Sequence, residues 1–294
     1  MPEMGFIEAP QWLVPAFTRS ARAIGADAPT HLIESVAEGL VASWSSPDRF
    51  HHAIKHLVDV LASIDQLAEE THDPDVVRIA GWYHGAEFTA LARASYAHKG
   101  GEDTMASAER ARRELPELGI SPTIVERIAA MIAQIHRHSA STVDVDAQAL
   151  SDADLAGLAC EPQKYAAYRK NIRAEYAHIP AEDYLEARIA ILRKLTDRPK
   201  IFCSPMGRQW EEPARENIAA ELSRLTVELE RVEAASQGPD ADPAAGGPEA
   251  GAPVDVTDVA EAARLRRDAL SPDPRAARGY TSTLGRSPRP DPRS

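Results

Sequence analysis

The feature of this sequence that most restricts its fold is a succession of apolar residues three and four positions apart, without strand patterns between them. That spacing places side chains on one face of an α-helix. The sequence lacks the pattern typical of strands, which is alternating Val, Ile and Thr bounded by Asn-Gly or Asp-Gly turns. Helices are predicted, in chain order, over 30–44, 46–70, 73–98 (with an interruption near Gly85), 102–115, 121–138, 147–159, 162–177, 181–197 and 211–234. The sequence predicts an all-α fold, a helical bundle.

The composition changes near residue 236. The stretch SQGPDADPAAGGPEAGAP contains no large apolar residue and cannot bury enough surface to stay ordered. We therefore divide the chain into an N-terminal segment 1–29, a helical domain 30–235 and a disordered tail 236–294. A short helix over 255–270 that binds a partner is the alternative for part of the tail.

Charge and cysteine content exclude several classes of protein. The chain has 294 residues and a net charge of −12, which argues against a nucleic-acid surface because contacts with phosphates need clustered Lys and Arg. Two cysteines give no disulfide framework, the N-terminus lacks a signal-peptide pattern, and no apolar run approaches the ~20 residues of a membrane span. We expect a cytoplasmic protein that does not contact membrane.

Histidines cluster in the stretch DRFHHAIKH. His52 and His56 are four residues apart and would share one helix face, whereas His51 points elsewhere and is expected to be exposed. Two imidazoles at this spacing suit a site in which one binds a metal and the other donates a proton. Ordinary surface or core histidines have the same spacing, so the pair alone does not decide between these interpretations.

Two carboxylates interrupt a later apolar run, ALSDADLAGL. Asp152 and Asp154 lie among leucines, where a carboxylate is costly to bury without a positive partner. Asp152 is interpreted as a helix N-cap or as a partner of Arg or Lys. Asp154 is either a first-turn residue that favours the helix dipole, a partner of Arg or Lys, or a metal ligand.

Taken in order, these motifs resemble those of the HD superfamily of metal-dependent phosphohydrolases, most nearly a bacterial subgroup of predicted metal-dependent hydrolases. Arg49, His52 and His56 match its Arg-x-Tyr-His-x-x-x-His motif, with His51 where Tyr is usual. WYHGAEF matches Trp-Phe-His-Asp-x-x-Tyr, and DADL matches Asp-x-Asp-Leu. The stretches YAAYRKNIRAEYAHIPAEDYLEARIAIL and WEEPARENIAAEL are similar to the subgroup's later motifs, so the resemblance runs from about Trp44 to Leu225.

The resemblance implies a specific site. His56, His84 and Asp154 would bind a divalent metal ion (Mn, Fe, Co, Zn or Mg), and His52 would donate a proton. The substrate would be a small phosphorylated molecule or a nucleotide. Three arginines match motif positions and would either contact its phosphate or pair with carboxylates such as Glu175: Arg49, Arg173 and Arg215.

Two positions depart from the family pattern. Gly85 stands where the family has the Asp of its His-Asp pair, and Thr104 stands where the subgroup has Glu. Glu87 or Glu102 could supply a replacement carboxylate. The first hypothesis is a phosphohydrolase of reduced activity, and the alternative is a catalytically inactive HD-fold pseudoenzyme that binds a ligand or protein partner. We also expect Gly85→Asp to raise metal affinity without altering the other ligands.

Overall fold

The computed structural model describes residues 9–89, 101–135 and 143–236, and within these ranges it contains ten α-helices and one pair of short strands. The prediction of an all-α fold is confirmed. The helices are α1 (Leu13–Ala23), α2 (Thr30–Trp44), α3 (Ile54–Leu67), α4 (Pro74–Tyr83), α5 (Thr104–Glu114), α6 (Pro122–Ile135), α7 (Val145–Leu155), α8 (Pro162–Glu175), α9 (Ala181–Thr196) and α10 (Glu211–Ser236). The strands are β1 (Phe88–Thr89) and β2 (Gly101–Glu102).

Helix α1 has no counterpart among the predicted helices. Its side chains Leu13, Phe17 and Ala21 are fully buried, and the helix packs against α2 and α4. The disordered tail was predicted over 236–294; Ser236 is the last residue of α10, and the rest of the tail, with the short helix over 255–270, lies outside the described residues. None of the helices that the structure describes combines the length and apolarity needed to cross a membrane.

Buried apolar residues form two clusters. The first, called here the N-terminal core, draws its residues from Leu13 to Ala153, that is from α1 to α7. The second, called the C-terminal core, runs from Leu155 to Leu225 and lies among α8, α9 and α10. Trp210 packs against both clusters and joins them.

Two helices differ from their predicted bounds in ways that shape the site. Helix α3 begins at Ile54, eight residues after the predicted start at 46, because the preceding segment is held in a turn by hydrogen bonds to Glu175. Helix α4 ends at Tyr83, and the chain then forms β1. Strand β1 pairs antiparallel with β2, with Phe88 opposite Glu102, which brings Glu102 back beside the end of α4.

Candidate metal centre

Three helices bring together the residues predicted to bind metal. His56 lies in the first turn of α3, His84 caps the C-terminus of α4, and Asp154 is in the last turn of α7. His56 Nε2 lies 3.1 Å from Asp154 Oδ1 and 3.4 Å from His84 Nε2, and His84 Nε2 lies 3.5 Å from Asp154 Oδ1. The side chains therefore converge on one point, although 98 positions separate the first from the last. Their role as metal ligands stays a prediction.

Glu102 is a fourth candidate ligand. Its Oε1 lies 4.0 Å from His84 Nε2, and the donor atoms of His56, His84 and Glu102 all lie within 4.8 Å of one another. Glu87, the other carboxylate suggested by the sequence, lies 3.3 Å from Arg110 Nη1 and leaves 43% of its side chain exposed. Glu102, and not Glu87, therefore faces the histidines.

The donor distances fit a metal ion. Ligands bound at about 2.1 Å lie about 3.0 Å apart across a right angle and about 3.4 Å apart in a tetrahedron, close to the 3.1, 3.4 and 3.5 Å spacings among His56, His84 and Asp154. The ring of His84 is oriented by its Nδ1, which lies 2.6 Å from the carbonyl oxygen of Gly81. Since Nδ1 donates to that carbonyl, Nε2 carries the lone pair that a metal needs whenever the ring is neutral. His56, His84 and Glu102 form one group of donors, and Asp154 Oδ1 lies within 3.5 Å of both histidines. Imidazole and carboxylate donors together suit first-row divalent ions.

The cluster is enclosed on one side by Trp44. This side chain is fully buried, and its ring centroid lies 5.1 Å from that of His84 and 6.0 Å from that of His56. Trp44 Nε1 donates a 3.0 Å hydrogen bond to the carbonyl of Trp82, which fixes the indole in place. The ligands thus rest on a rigid apolar wall that keeps water from that side.

Burial and neighbouring charges set the protonation of the cluster. Burial alone would raise the pKa of Asp154, but the hydrogen bonds and charges of His56 and His84 hold that pKa well below its ordinary value. Burial alone would lower the pKa of His84, but Asp154 and Glu102 raise it. Asp154 is therefore an ionised carboxylate inside the protein, as a metal ligand must be.

His52, the predicted proton donor, is held by Glu175. His52 Nδ1 lies 2.8 Å from Glu175 Oε2, while Glu175 Oε1 accepts the backbone N–H groups of Phe50, His51 and His52 at 2.7–2.8 Å. Burial alone would lower the pKa of His52, but the charge and hydrogen bond of Glu175 raise it to about 9. His52 is therefore an imidazolium at neutral pH, with its ring centroid 5.6 Å from that of His56.

The pairing of Glu175 with His52 was not predicted from the sequence, which suggested Glu175 only as a partner for arginine. Glu175 lies 123 positions from His52, so no local spacing connects the two. His51, expected to be exposed, is only partly so, and its ring packs edge-on against Tyr168 at 4.6 Å. Burial, followed by the charges of His52 and His56, lowers the pKa of His51 well below its ordinary value.

Arg49 binds backbone carbonyls beside the cluster. Its Nη1 donates to the carbonyls of His52 and Gly85 at 3.0 and 2.7 Å, and its Nη2 donates to that of Ala86 at 3.0 Å. The guanidinium also lies 4.9 Å from the ring centroid of Phe88. These contacts tie the turn before α3 to the end of α4, which favours a role in positioning the site over contact with phosphate.

The other two motif arginines also bond to backbone. Arg173 donates to the carbonyls of Tyr176 and Ile179, which secures the chain after α8. Arg215 donates to the carbonyls of Thr196 and Arg198 at 2.9 and 2.8 Å, at the end of α9, and its Nε pairs with the carboxylate of Glu211 at 2.7 Å. In the residues that the structure describes, the hydrogen bonds of these arginines serve the ends of helices.

The interpretation of Asp152 as an N-cap is wrong. Asp152 lies inside α7. The N-cap of this helix is Asp144, and the Asp144 side chain accepts a hydrogen bond from the N–H of Ala147 at 3.0 Å. Asp152 is fully buried and accepts the N–H groups of Cys203 and Ser204 at 2.9 and 2.7 Å. Asp152 therefore holds the segment that leads into α10, whereas Asp154, the other carboxylate of DADL, faces His56 and His84.

In comparisons with known proteins, no family model, no curated protein and no solved structure matches this chain. What stands is a helical protein with a His/Glu cluster that can hold a metal ion.

Proposed function

We propose that this protein is a metal-dependent phosphohydrolase of the HD type that acts on a small phosphorylated molecule or a nucleotide. The observation that carries the proposal is the convergence of His84, Glu102 and Asp154 on His56, whose ring centroid lies 5.6 Å from that of His52. A buried set of ligand atoms beside a charged proton donor is the arrangement that phosphate-ester hydrolysis needs.

Four side chains would hold the ion: His56, His84, Glu102 and Asp154. A divalent ion bound there would polarise a phosphoryl oxygen and activate water for attack. Two carboxylates would give the site two negative charges, which favours a dication. Mn, Fe, Co, Zn and Mg are all compatible with this mixture of nitrogen and oxygen donors.

His52 would protonate the oxygen of the leaving group. Glu175 holds its Nδ1, so the opposite nitrogen, Nε2, is the one that donates. Because the same carboxylate binds three successive backbone N–H groups, the ring and its supporting turn move as one unit. Arg49 is a positioning residue that joins this turn to the backbone of Gly85.

Metal analysis and a phosphatase screen of the untagged full chain test the proposal. The screen uses p-nitrophenyl phosphate and nucleoside monophosphates with added Mn²⁺, Co²⁺ or Mg²⁺. His56→Ala should lose both metal and turnover, His52→Gln should lose turnover but keep metal, and His31→Gln, at an exposed position of α2, should behave as wild type. Wild-type protein that binds none of these metals would overturn the proposal.

The alternative is an HD-fold pseudoenzyme that binds a ligand or protein partner without turnover. It is favoured by Gly85 and by Thr104, a buried first-turn residue of α5 that offers no carboxylate. Stoichiometric metal without hydrolysis of any phosphate ester in the screen would support it.

A further inference from the structure

Gly85 lies directly after His84, and neighbouring side chains leave no room for a Cβ at this position. Among the described residues, positive φ angles occur at Gly25, Gly101 and Gly119, and Gly85 is not one of them. Its backbone conformation is therefore open to any L-residue. A Cβ at position 85 would, however, lie well under 3.0 Å from both Glu102 Oε1 and Trp44 Cη2, closer than real Cβ atoms approach.

The backbone on either side of this contact is fixed. Arg49 binds the carbonyl of Gly85 at 2.7 Å, and the N–H of Asp103 donates to the carbonyl of Glu87 at 2.9 Å beside the β1–β2 pair. Trp44 is fully buried and hydrogen-bonded. The carboxylate of Glu102, at the end of a flexible stem and 18% exposed, is the group that can move.

We infer that Gly85 and Glu102 form a coupled pair: the space left by the missing side chain at position 85 admits the Glu102 carboxylate, which supplies the metal ligand from β2. The inference rests on the metal site of the proposed function. One carboxylate contributes one negative charge whichever element carries it, so the donor set keeps two imidazoles and two carboxylates.

This inference reverses the expectation for Gly85→Asp. A side chain at position 85 meets Glu102 and Trp44 before it adds a ligand, so the substitution should lower metal affinity. The minimal test is Gly85→Ala, which adds only the Cβ. Loss of the Glu102 ligand should weaken binding by about 10- to 100-fold, the effect of disturbing a metal site.

A double-mutant cycle with Mn²⁺ and Zn²⁺, measured by calorimetric titration of the full chain, tests the coupling. We expect Gly85→Ala and Glu102→Ala each to weaken binding about tenfold or more, and the double variant to lose less than the two single losses combined, because only the contact with Trp44 remains for the Cβ once Glu102 is shortened. Gly39→Ala in α2, where a Cβ meets only an ordinary contact, and Glu87→Gln are controls that should leave the affinity unchanged.

Each outcome decides between the two claims. If Gly85→Ala binds as tightly as wild type, or if the two losses add, the coupling is overturned while the proposed function stands. If wild type binds metal with the expected cycle but hydrolyses nothing, the coupling stands and the phosphohydrolase fails. If Gly85→Ala does not fold, Glu102→Gln decides: an unchanged affinity overturns the inference, and a tenfold loss with a melting temperature near that of wild type supports it.

Discussion

The two cores of this protein both bury charged side chains, but they arrange them differently. In the C-terminal core, Arg188 Nε donates to Glu221 Oε1 at 2.9 Å, Arg188 Nη2 donates to the Tyr168 hydroxyl at 3.0 Å, and the Tyr165 hydroxyl donates to Glu221 Oε2 at 2.5 Å. Every one of these contacts matches a donor with an acceptor. In the N-terminal core, two imidazole nitrogens and carboxylate oxygens face one point.

The difference separates a structural cluster from a binding cluster. A buried network of matched donors and acceptors is complete without any further partner. Imidazole nitrogens and carboxylate oxygens from separate elements that converge on one point can also hold a cation. Burial alone would not have distinguished the two regions, because Glu221 and His84 are both buried. The direction in which the polar atoms point does.

The largest effect that this comparison predicts is in the C-terminal core. Glu221→Ala leaves the Arg188 guanidinium buried without its carboxylate, which should lower the free energy of unfolding by about 3–5 kcal/mol. Urea denaturation measures the loss. Glu228→Ala, an exposed residue of the same helix, should change stability by less than about 0.5 kcal/mol. A loss below about 1 kcal/mol for Glu221→Ala would show that the network is not a structural unit.

The N-terminal core should respond to metal instead. Excess metal at about 100 times its dissociation constant should stabilise the wild type by about 2.7 kcal/mol. Asp154→Asn removes a ligand charge and should abolish that gain, while lowering metal-free stability less than Glu221→Ala does. Thermal melts with and without Mn²⁺ measure both quantities. An equal metal-dependent gain in Asp154→Asn would break the distinction between the two cores.

Glu175 links the regions and predicts a pH dependence. The pKa of His52 is raised from 6.5 to about 9, so the pair's contribution is full below pH 6.5 and is lost as the pH rises through about 9. The pKa of Glu175 is lowered from its ordinary 4.5: burial raises it, and His52 outweighs burial. Its contribution is therefore lost as the pH falls through that lowered pKa.

Glu175→Gln should accordingly cost about 1.5–2 kcal/mol near pH 6 and less near pH 10. Urea denaturation at the two pH values checks this, and NMR titration of the His52 ring should show its pKa returning toward 6.5 in the variant. A cost that is the same at both pH values would mean that the pair contributes no charge interaction.

The smallest effect concerns the helix that carries Asp154. Asp144 is the N-cap of α7 and also binds Arg127. The hydrogen bond from Arg127 lowers the pKa of Asp144, although burial alone would raise it. Asp144→Ala should cost about 1 kcal/mol at neutral pH. The difference from wild type should shrink as the pH falls through the lowered pKa of Asp144. Denaturation at neutral and acidic pH tests this, and a difference that grows in acid would contradict it.

Helical periodicity predicted much of the fold. The bounds of α2 agree with the prediction, and α8 to α10 begin where the sequence placed their starts. The start of α3 could not be predicted in this way, because Glu175 holds the preceding turn from a distant helix. Helix α1 was missed although its buried residues Leu13 and Phe17 have helical spacing.

The site was predictable where it rests on local motifs. His56, His84 and Asp154 occur in motifs whose order resembles that of the HD superfamily. That resemblance predicted that the three side chains lie together. The choice between Glu87 and Glu102 did not follow from sequence, because it depends on the register that places Phe88 opposite Glu102. Nor could the sequence reveal that a side chain at position 85 would meet Trp44, since that contact joins the ends of two helices.

The indole ring of Trp44, which borders the metal-ligand cluster, gives this protein an intrinsic fluorescent probe. Trp44 is one of four tryptophans in the chain, and its ring lies 5.1 Å from that of His84. A paramagnetic ion such as Co²⁺ or Cu²⁺ held by His84 would sit within a few ångströms of that fluorophore and quench its emission. Diamagnetic Zn²⁺ at the same ligands would not quench in this way, so the intensity and lifetime of the tryptophan emission would separate the two kinds of ion without any added dye.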